Sequence, residues 1–217
     1  MKKSKAARSQ ELIAAAQQLY QKNLLAAADG NLSYRHSEQE ILITPSGLSK
    51  AHLQAEDMAI ISPDNHILQG TPSSERLMHL AIYKQTPAKA VVHAHPPHAI
   101  ALSLARPHWQ ALPIDSLPEV ILAAGSVPIV PYARPGSIEM GEVLTPFLPH
   151  CRLMILARHG AVCWGDSLAE ATQGIERLEQ ICQILYLSES LGGARPLPSE
   201  EIDALKALRQ KIGDRII

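Results

Sequence analysis

Between Ala88 and Pro97 the chain reads AKAVVHAHPP, and few backbone geometries suit that run. Residues 89–95 are apolar and β-branched enough for a strand. Successive strand side chains alternate faces, so His93 and His95 fall on one face. Pro96-Pro97 stops strand pairing directly beyond them. Two imidazoles at a strand end, where a sheet edge opens into a cleft, suit a divalent transition metal such as Zn²⁺. The same pair also fits two ordinary core or surface histidines.

Patterns on either side predict alternating helices and strands. Residues 9–27 carry apolar side chains near helical spacing behind Ser9, a candidate cap, and stop at Asp29-Gly30. Short strand-like runs follow at 31–35 and 41–44, joined by a polar turn that suggests a hairpin, then at 58–62 and 66–68. A helix is expected over 74–85, the His-bearing strand over 89–95 and a second helix over 98–105. Residues 106–126 read as irregular, 127–130 as a strand and 137–148 as a helix. Strands at 152–157 and 161–164 flank Arg158-His159-Gly160. Ser167 with Glu170 forms a capping box that opens a long helix to about Leu191, stopped by Gly192-Gly193, and a last helix spans 199–211. Interleaved helices with closely spaced strand pairs imply an α/β fold: a mixed sheet with helices on both faces.

At 217 residues and 46% hydrophobic content, one domain covering 1–217 is the expectation. A net charge of −1 offers no electrostatic case for nucleic acid or an anionic membrane, and a single Phe147 argues against a base-stacking surface. Lys2, Lys3, Lys5 and Arg8 read as a solvated end, since no apolar segment of a targeting signal follows them. No apolar run approaches the roughly 20 residues that span a bilayer. Cys151, Cys163 and Cys182 are scattered, without a CxxC, and read as reduced core residues of a cytoplasmic protein.

Other residues carry possible chemistry. His159 closes a second apolar run, and Gly160 behind it allows a sharp turn, although spacing alone does not join it to His93 and His95. Glu75 suits the first turn of a helix through the helix dipole. Ser73 and Ser74 before it, with free N–H groups, also make an anion site, beside which an acid fits best if a metal offsets its charge. Gly30-Asn31 and Thr44-Pro45-Ser46-Gly47 are ordinary turns on their own.

Taken in order, the motifs GN-L-S, TPSG, SSE, HAH and a distant HG resemble the class II aldolase and adducin family, from the first helix to the end of the long one. VPIVPYARPGS at 127–137 is similar to that family's segment before the third metal motif. The resemblance implies a three-layer α/β/α sandwich around a largely antiparallel mixed sheet, assembled as a homotetramer. It implies Zn²⁺ on His93, His95 and His159, Glu75 as the catalytic acid/base, and a sugar phosphate's phosphate group at Asn31, Ser46, Gly47, Ser73 and Ser74. Two tyrosines of the family aldolases, which handle the aldehyde's proton, are not matched. The tail SEEIDALKALRQKIGDRII holds no Tyr, and Glu119 occupies the other place. Glu119 either takes that role or is a helix-start acid.

The leading expectation is a zinc-dependent aldolase cleaving a ketose 1-phosphate to dihydroxyacetone phosphate and an aldehyde through a metal-stabilised enediolate. The same site suits dehydration of a methylthioribulose 1-phosphate-like substrate, decarboxylation of a phosphorylated keto acid, or 4-epimerisation of a pentulose phosphate. Glu75 counts against the last, where the resemblance would place Asp. An adducin-like interaction domain is disfavoured because the histidines and the acid are retained. A structural zinc site is disfavoured because such sites close with four protein ligands.

Overall fold

A computed structural model describes residues 3–213, 215 and 216; Lys2, read above as part of a solvated end, lies outside them. In chain order the helices are α1 (Lys5–Gln21), α2 (Arg76–Gln85), α3 (Pro97–Ala105), α4 (Pro118–Ala123), α5 (Glu139–Glu142), α6 (Leu168–Ser190) and α7 (Ser199–Ile212). The strands are β1 (Asn31–Arg35), β2 (Ile41–Ile43), β3 (Ala59–Ile61), β4 (Ile67–Gln69), β5 (Ala90–Ala94), β6 (Ile129–Val130), β7 (Leu153–Leu156) and β8 (Gly160–Gly165). They form one eight-stranded sheet in the order β4-β3-β2-β1-β5-β8-β7-β6. Every pairing is antiparallel except β6 with β7. The expected α/β sandwich with a largely antiparallel mixed sheet is what the chain forms.

Strand alternation decides what each face holds. On β5, Ala90, Val92 and Ala94 enter the core that includes Leu12 and Leu19 of α1 and Leu178 and Ile181 of α6. Val91 enters the opposite core, with Met78 and Ile82 of α2 and Met140 of α5. His93, two residues from Val91, therefore lies on the α2 side of the sheet. Asn31 is its cross-strand partner on β1 and Val162 on β8. The helix that follows Glu75 thus packs over the strand that carries the first imidazole.

Several boundaries differ from the sequence pattern. Helix α1 begins at Lys5, where the Ser4 hydroxyl accepts from Ala7 N, so Ser4 and not Ser9 is the cap, and Ser9 is buried. It stops at Gln21 because Asn23 turns left-handed at φ 57°, and Leu24 and Leu25 then fold back into the core. The segment expected to be irregular contains α4, started by Pro118 at a position that needs no N–H donor. The helix expected over 137–148 is helical only at 139–142 and continues as turns. Pro146 cannot donate to an extended ladder, and Gly141 lets this segment approach α2, where an added Cβ would stand 2.8 Å from Ala81 Cβ. The three cysteines are unbridged, Cys163 and Cys182 in the core. No helix among the described residues is long and apolar enough to cross a membrane.

Candidate active site

Four side chains from three parts of the chain converge at the end of β5. His93 is the fourth residue of β5, and His95 follows the strand, its N–H bonded to Leu24 O at 2.8 Å. His159 sits on the turn from β7 to β8. Glu75 is the residue from which α2 starts. The turn at His159 works differently from the simple expectation. Its left-handed residue is Arg158, at φ 63°; Gly160 serves close packing. A Cβ on Gly160 would stand 2.5 Å from Ala94 O, 2.9 Å from His95 Cδ2 and 3.0 Å from His93 Cε1.

The three imidazole centroids lie 4.8–5.1 Å apart. His93 Nε2 is 3.1 Å from His95 Nε2 and 3.1 Å from Glu75 Oε2, and His159 Nε2 is 3.4 Å from Glu75 Oε1. All four ligand atoms fall within 4.8 Å of one another. Donors held about 2.0–2.1 Å from one tetrahedral ion stand roughly 3.4 Å apart, so the spacing suits a single cation. Hydrogen bonding agrees. His93 Nδ1 lies 2.9 Å from Ala161 O, and a carbonyl only accepts, so Nδ1 carries the proton and Nε2 turns its lone pair inward. Glu75 Oε1 is buried without a hydrogen-bond partner, a costly position unless something else binds it. The cluster can hold one metal ion.

Electrostatics keep the ligands in the right protonation state. Burial, then repulsion from His93 and His159, push His95 down to about 3. Burial and His93 push His159 down to about 4. Both are neutral imidazoles at ordinary pH, as metal ligands must be. Burial pushes the Glu75 carboxyl up, but His93, His159 and a hydrogen bond from Asn31 outweigh it and hold the group well below the usual carboxylate range.

A chain of buried groups stands behind Glu75. Asn31 Nδ2 donates to Glu75 Oε2 at 2.9 Å, and Asn31 Oδ1 lies 2.5 Å from His79 Nε2. His79 Nδ1 is 2.6 Å from Ser33 Oγ, which is 2.8 Å from Tyr83 OH. Because Asn31 Oδ1 accepts, His79 Nε2 donates and its Nδ1 accepts from Ser33. Burial, with repulsion from His93, pushes His79 down to about 3, which keeps this neutral tautomer. Asn31, expected at the phosphate, thus spends its side chain on Glu75 and His79. In the sequence pattern His79 is an ordinary helix-face histidine. The signal that could have found it is its spacing, four residues after Glu75 and so on the same side of the helix.

Asn31, Ser46, Gly47, Ser73, Ser74 and Glu75 line a cleft of about 230 Å³ together with Asp29, His95 and His159. Ser73 is buried and its Oγ accepts from Glu75 N at 3.2 Å, while Ser46 and Ser74 are exposed. Gly47 holds φ 74°, a conformation that favours glycine. Asp29, absent from the sequence-based candidates, stands with Oδ2 3.8 Å from His95 Nδ1, on the ring edge away from His93. Glu119 is not brought to this cleft. It is exposed in the first turn of α4, where an acid favours the helix start. His98 pairs with Glu179 of α6 at 2.7 Å rather than with the cluster.

Comparison with known proteins adds four observations. Residues 10–186 match the family model described as the class II aldolase and adducin N-terminal domain. The chain is 32% identical over 195 residues to a 3-oxo-tetronate 4-phosphate decarboxylase of Escherichia coli, covering 87% of this chain and 88% of that one. It is also 32% identical over 182 residues to an L-fuculose phosphate aldolase of Methanococcus maripaludis, covering 83% and 97%. Among solved structures, YgbL of Escherichia coli superposes with a TM-score of 0.87 at 31% identity, over 94% of this chain and all of that one.

Proposed function

We propose, from the premise that this chain belongs to the class II aldolase and adducin family, that it is a metal-dependent decarboxylase of a phosphorylated 3-oxo sugar acid. Decarboxylating a 3-oxo-tetronate 4-phosphate and cleaving a ketose 1-phosphate leave the same fragment, the enediolate of dihydroxyacetone phosphate. The two reactions differ in what departs. Aldol cleavage needs a base to take the proton from the C4 hydroxyl, whereas carbon dioxide leaves from a carboxylate and needs none. The observation that carries the reading is the lack of a tyrosine among the described cleft residues. The stretch 199–217 contains no tyrosine either.

His93, His95 and His159 would hold the ion, with Glu75 beside it. A divalent ion such as Zn²⁺, when bound, supplies Lewis-acid stabilisation for the negative charge that builds on the substrate carbonyl oxygen. Ser46, Gly47, Ser73 and Ser74 hold the phosphate, which fixes the reacting end against Glu75. Glu75 delivers the proton to the carbon that loses carbon dioxide. Its Oε2 accepts from Asn31 Nδ2, so Oε1, which has no hydrogen bond of its own, is the oxygen that takes up a proton and passes it on. Exposed Tyr186, Leu187 and Leu191 at the end of α6 support assembly with further copies as a homotetramer.

Aldol cleavage is the second reading. Aldolases stand at comparable identity to the decarboxylases, and the Asp29 carboxylate in the cleft is a group that can take a hydroxyl proton. The deciding experiment feeds the metal-loaded protein 3-oxo-tetronate 4-phosphates and, separately, ketose 1-phosphates, and follows dihydroxyacetone phosphate, carbon dioxide and aldehyde. The expected result is dihydroxyacetone phosphate with carbon dioxide from the acid and far slower release from the ketose phosphates. Aldehyde release as the faster reaction would replace decarboxylation by aldol cleavage.

A further inference from the structure

A phosphate monoester brings a charge of about −1.5 to −2 at neutral pH. The cleft proposed to bind it is lined by two carboxylates, Asp29 and Glu75, and by no lysine or arginine among the described residues. The nearest counter-charge is built into the wall. Lys50 is 1% exposed, and its Nζ lies 2.8 Å from Ala28 O, 2.9 Å from Leu48 O and 3.5 Å from Pro45 O. Three carbonyls only accept, so the group facing them needs three N–H donors. An ammonium has three and a neutral amine two.

Those carbonyls belong to two separate stretches. Ala28 precedes β1, while Pro45 and Leu48 follow β2, and Ala28 and Pro45 themselves line the cleft. One buried ammonium therefore ties together two loops whose residues line the cleft. We propose that Lys50 is a positioning residue of the phosphate subsite, clamping the 28–31 and 45–48 loops and setting a positive charge behind them against the phosphate dianion. The inference rests on the phosphate-binding reading of this cleft. Burial draws the Lys50 ammonium down and the Asp29 carboxylate draws it back up, so the carboxylate that would repel phosphate is partly compensated by the same group.

The test compares metal-loaded wild type, Lys50→Gln and Lys50→Arg in calorimetric binding of inorganic phosphate, dihydroxyacetone phosphate and uncharged dihydroxyacetone, with metal content measured alongside. Glutamine keeps two N–H donors and loses the charge; arginine keeps the charge. Lys50→Gln is expected to bind both phosphate ligands about tenfold more weakly, with dihydroxyacetone binding and metal content unchanged, and to raise KM more than it lowers kcat. Lys50→Arg is expected to keep the wild-type preference for the phosphorylated ligand, and it stays informative if the glutamine variant fails to fold. Wild-type phosphate affinity in Lys50→Gln, an equal loss for dihydroxyacetone, or loss of the preference in Lys50→Arg would overturn the role of the charge. A wild type that binds neither phosphate ligand would instead remove the phosphate-site reading on which the inference stands.

Discussion

Replacing Glu75 by glutamine is expected to lower turnover by roughly 10²–10⁴-fold, the usual contribution of a positioned acid/base group, while the protein keeps its metal. Glutamine preserves the shape of the side chain and leaves an oxygen to accept from Asn31 Nδ2, which bonds Glu75 Oε2 at 2.9 Å. It cannot carry a proton to carbon. Exchange of the hydroxymethyl hydrogens of dihydroxyacetone phosphate with heavy water reads this step directly, and it does so for either departing group. Exchange at the wild-type rate in a metal-replete Glu75→Gln protein would take Glu75 out of the acid/base role.

Replacing His159 by alanine is the second large effect. His93 and His95 come from one strand end, so the pair alone leaves the ion two neighbouring nitrogens and a carboxylate. His159 closes the set from the other side, its ring 4.8 Å from that of His93 and 5.1 Å from that of His95. Losing it should weaken metal binding by more than the 10–100-fold that removing an outer partner of a ligand costs, and activity should fall with it. Because His159 lies on a turn and not in the sheet, the fold should survive, so equilibrium dialysis against a metal-buffered solution measures the loss cleanly. Unchanged metal affinity in a folded His159→Ala protein would exclude this imidazole from the ligand set.

How much of this was legible in the residues differs by physical cause. The pair His93 and His95 was readable because strand alternation is local: a two-residue spacing fixes a shared face before any tertiary contact forms. The sheet with helices on both faces followed in the same way from alternating patterns. Convergence of His159 and Glu75 on that pair was not readable from spacing. It depends on β8 pairing with β5, which sets Ala94 against Ala161, and on α2 packing over the Val91 face, and neither is written into a local pattern. The joint order of motifs supplied that link only as a resemblance.

Some of the remaining differences share one origin, namely groups whose partners lie far off in sequence. Asn31 reads as a turn residue until His79 and Glu75, both more than 40 positions away, take up its amide. Nothing in the local pattern marks Lys50, whose ammonium lies 2.8 Å from the carbonyl of Ala28, 22 positions away. The end of α1 moved for a more local reason. The apolar spacing continues past Gln21, but Asn23 adopts a left-handed conformation that helix periodicity does not reveal. Helix α4 is six residues long, too short for a periodic signal to stand out from an apolar loop.

The most direct test is a metal titration of the stripped wild-type protein. Activity in releasing dihydroxyacetone phosphate should rise linearly with added Zn²⁺ and stop rising at one ion per chain, and a chelator should reverse it. Full activity in protein shown by mass spectrometry to carry no metal would contradict an ion bound by His93, His95 and His159 beside Glu75.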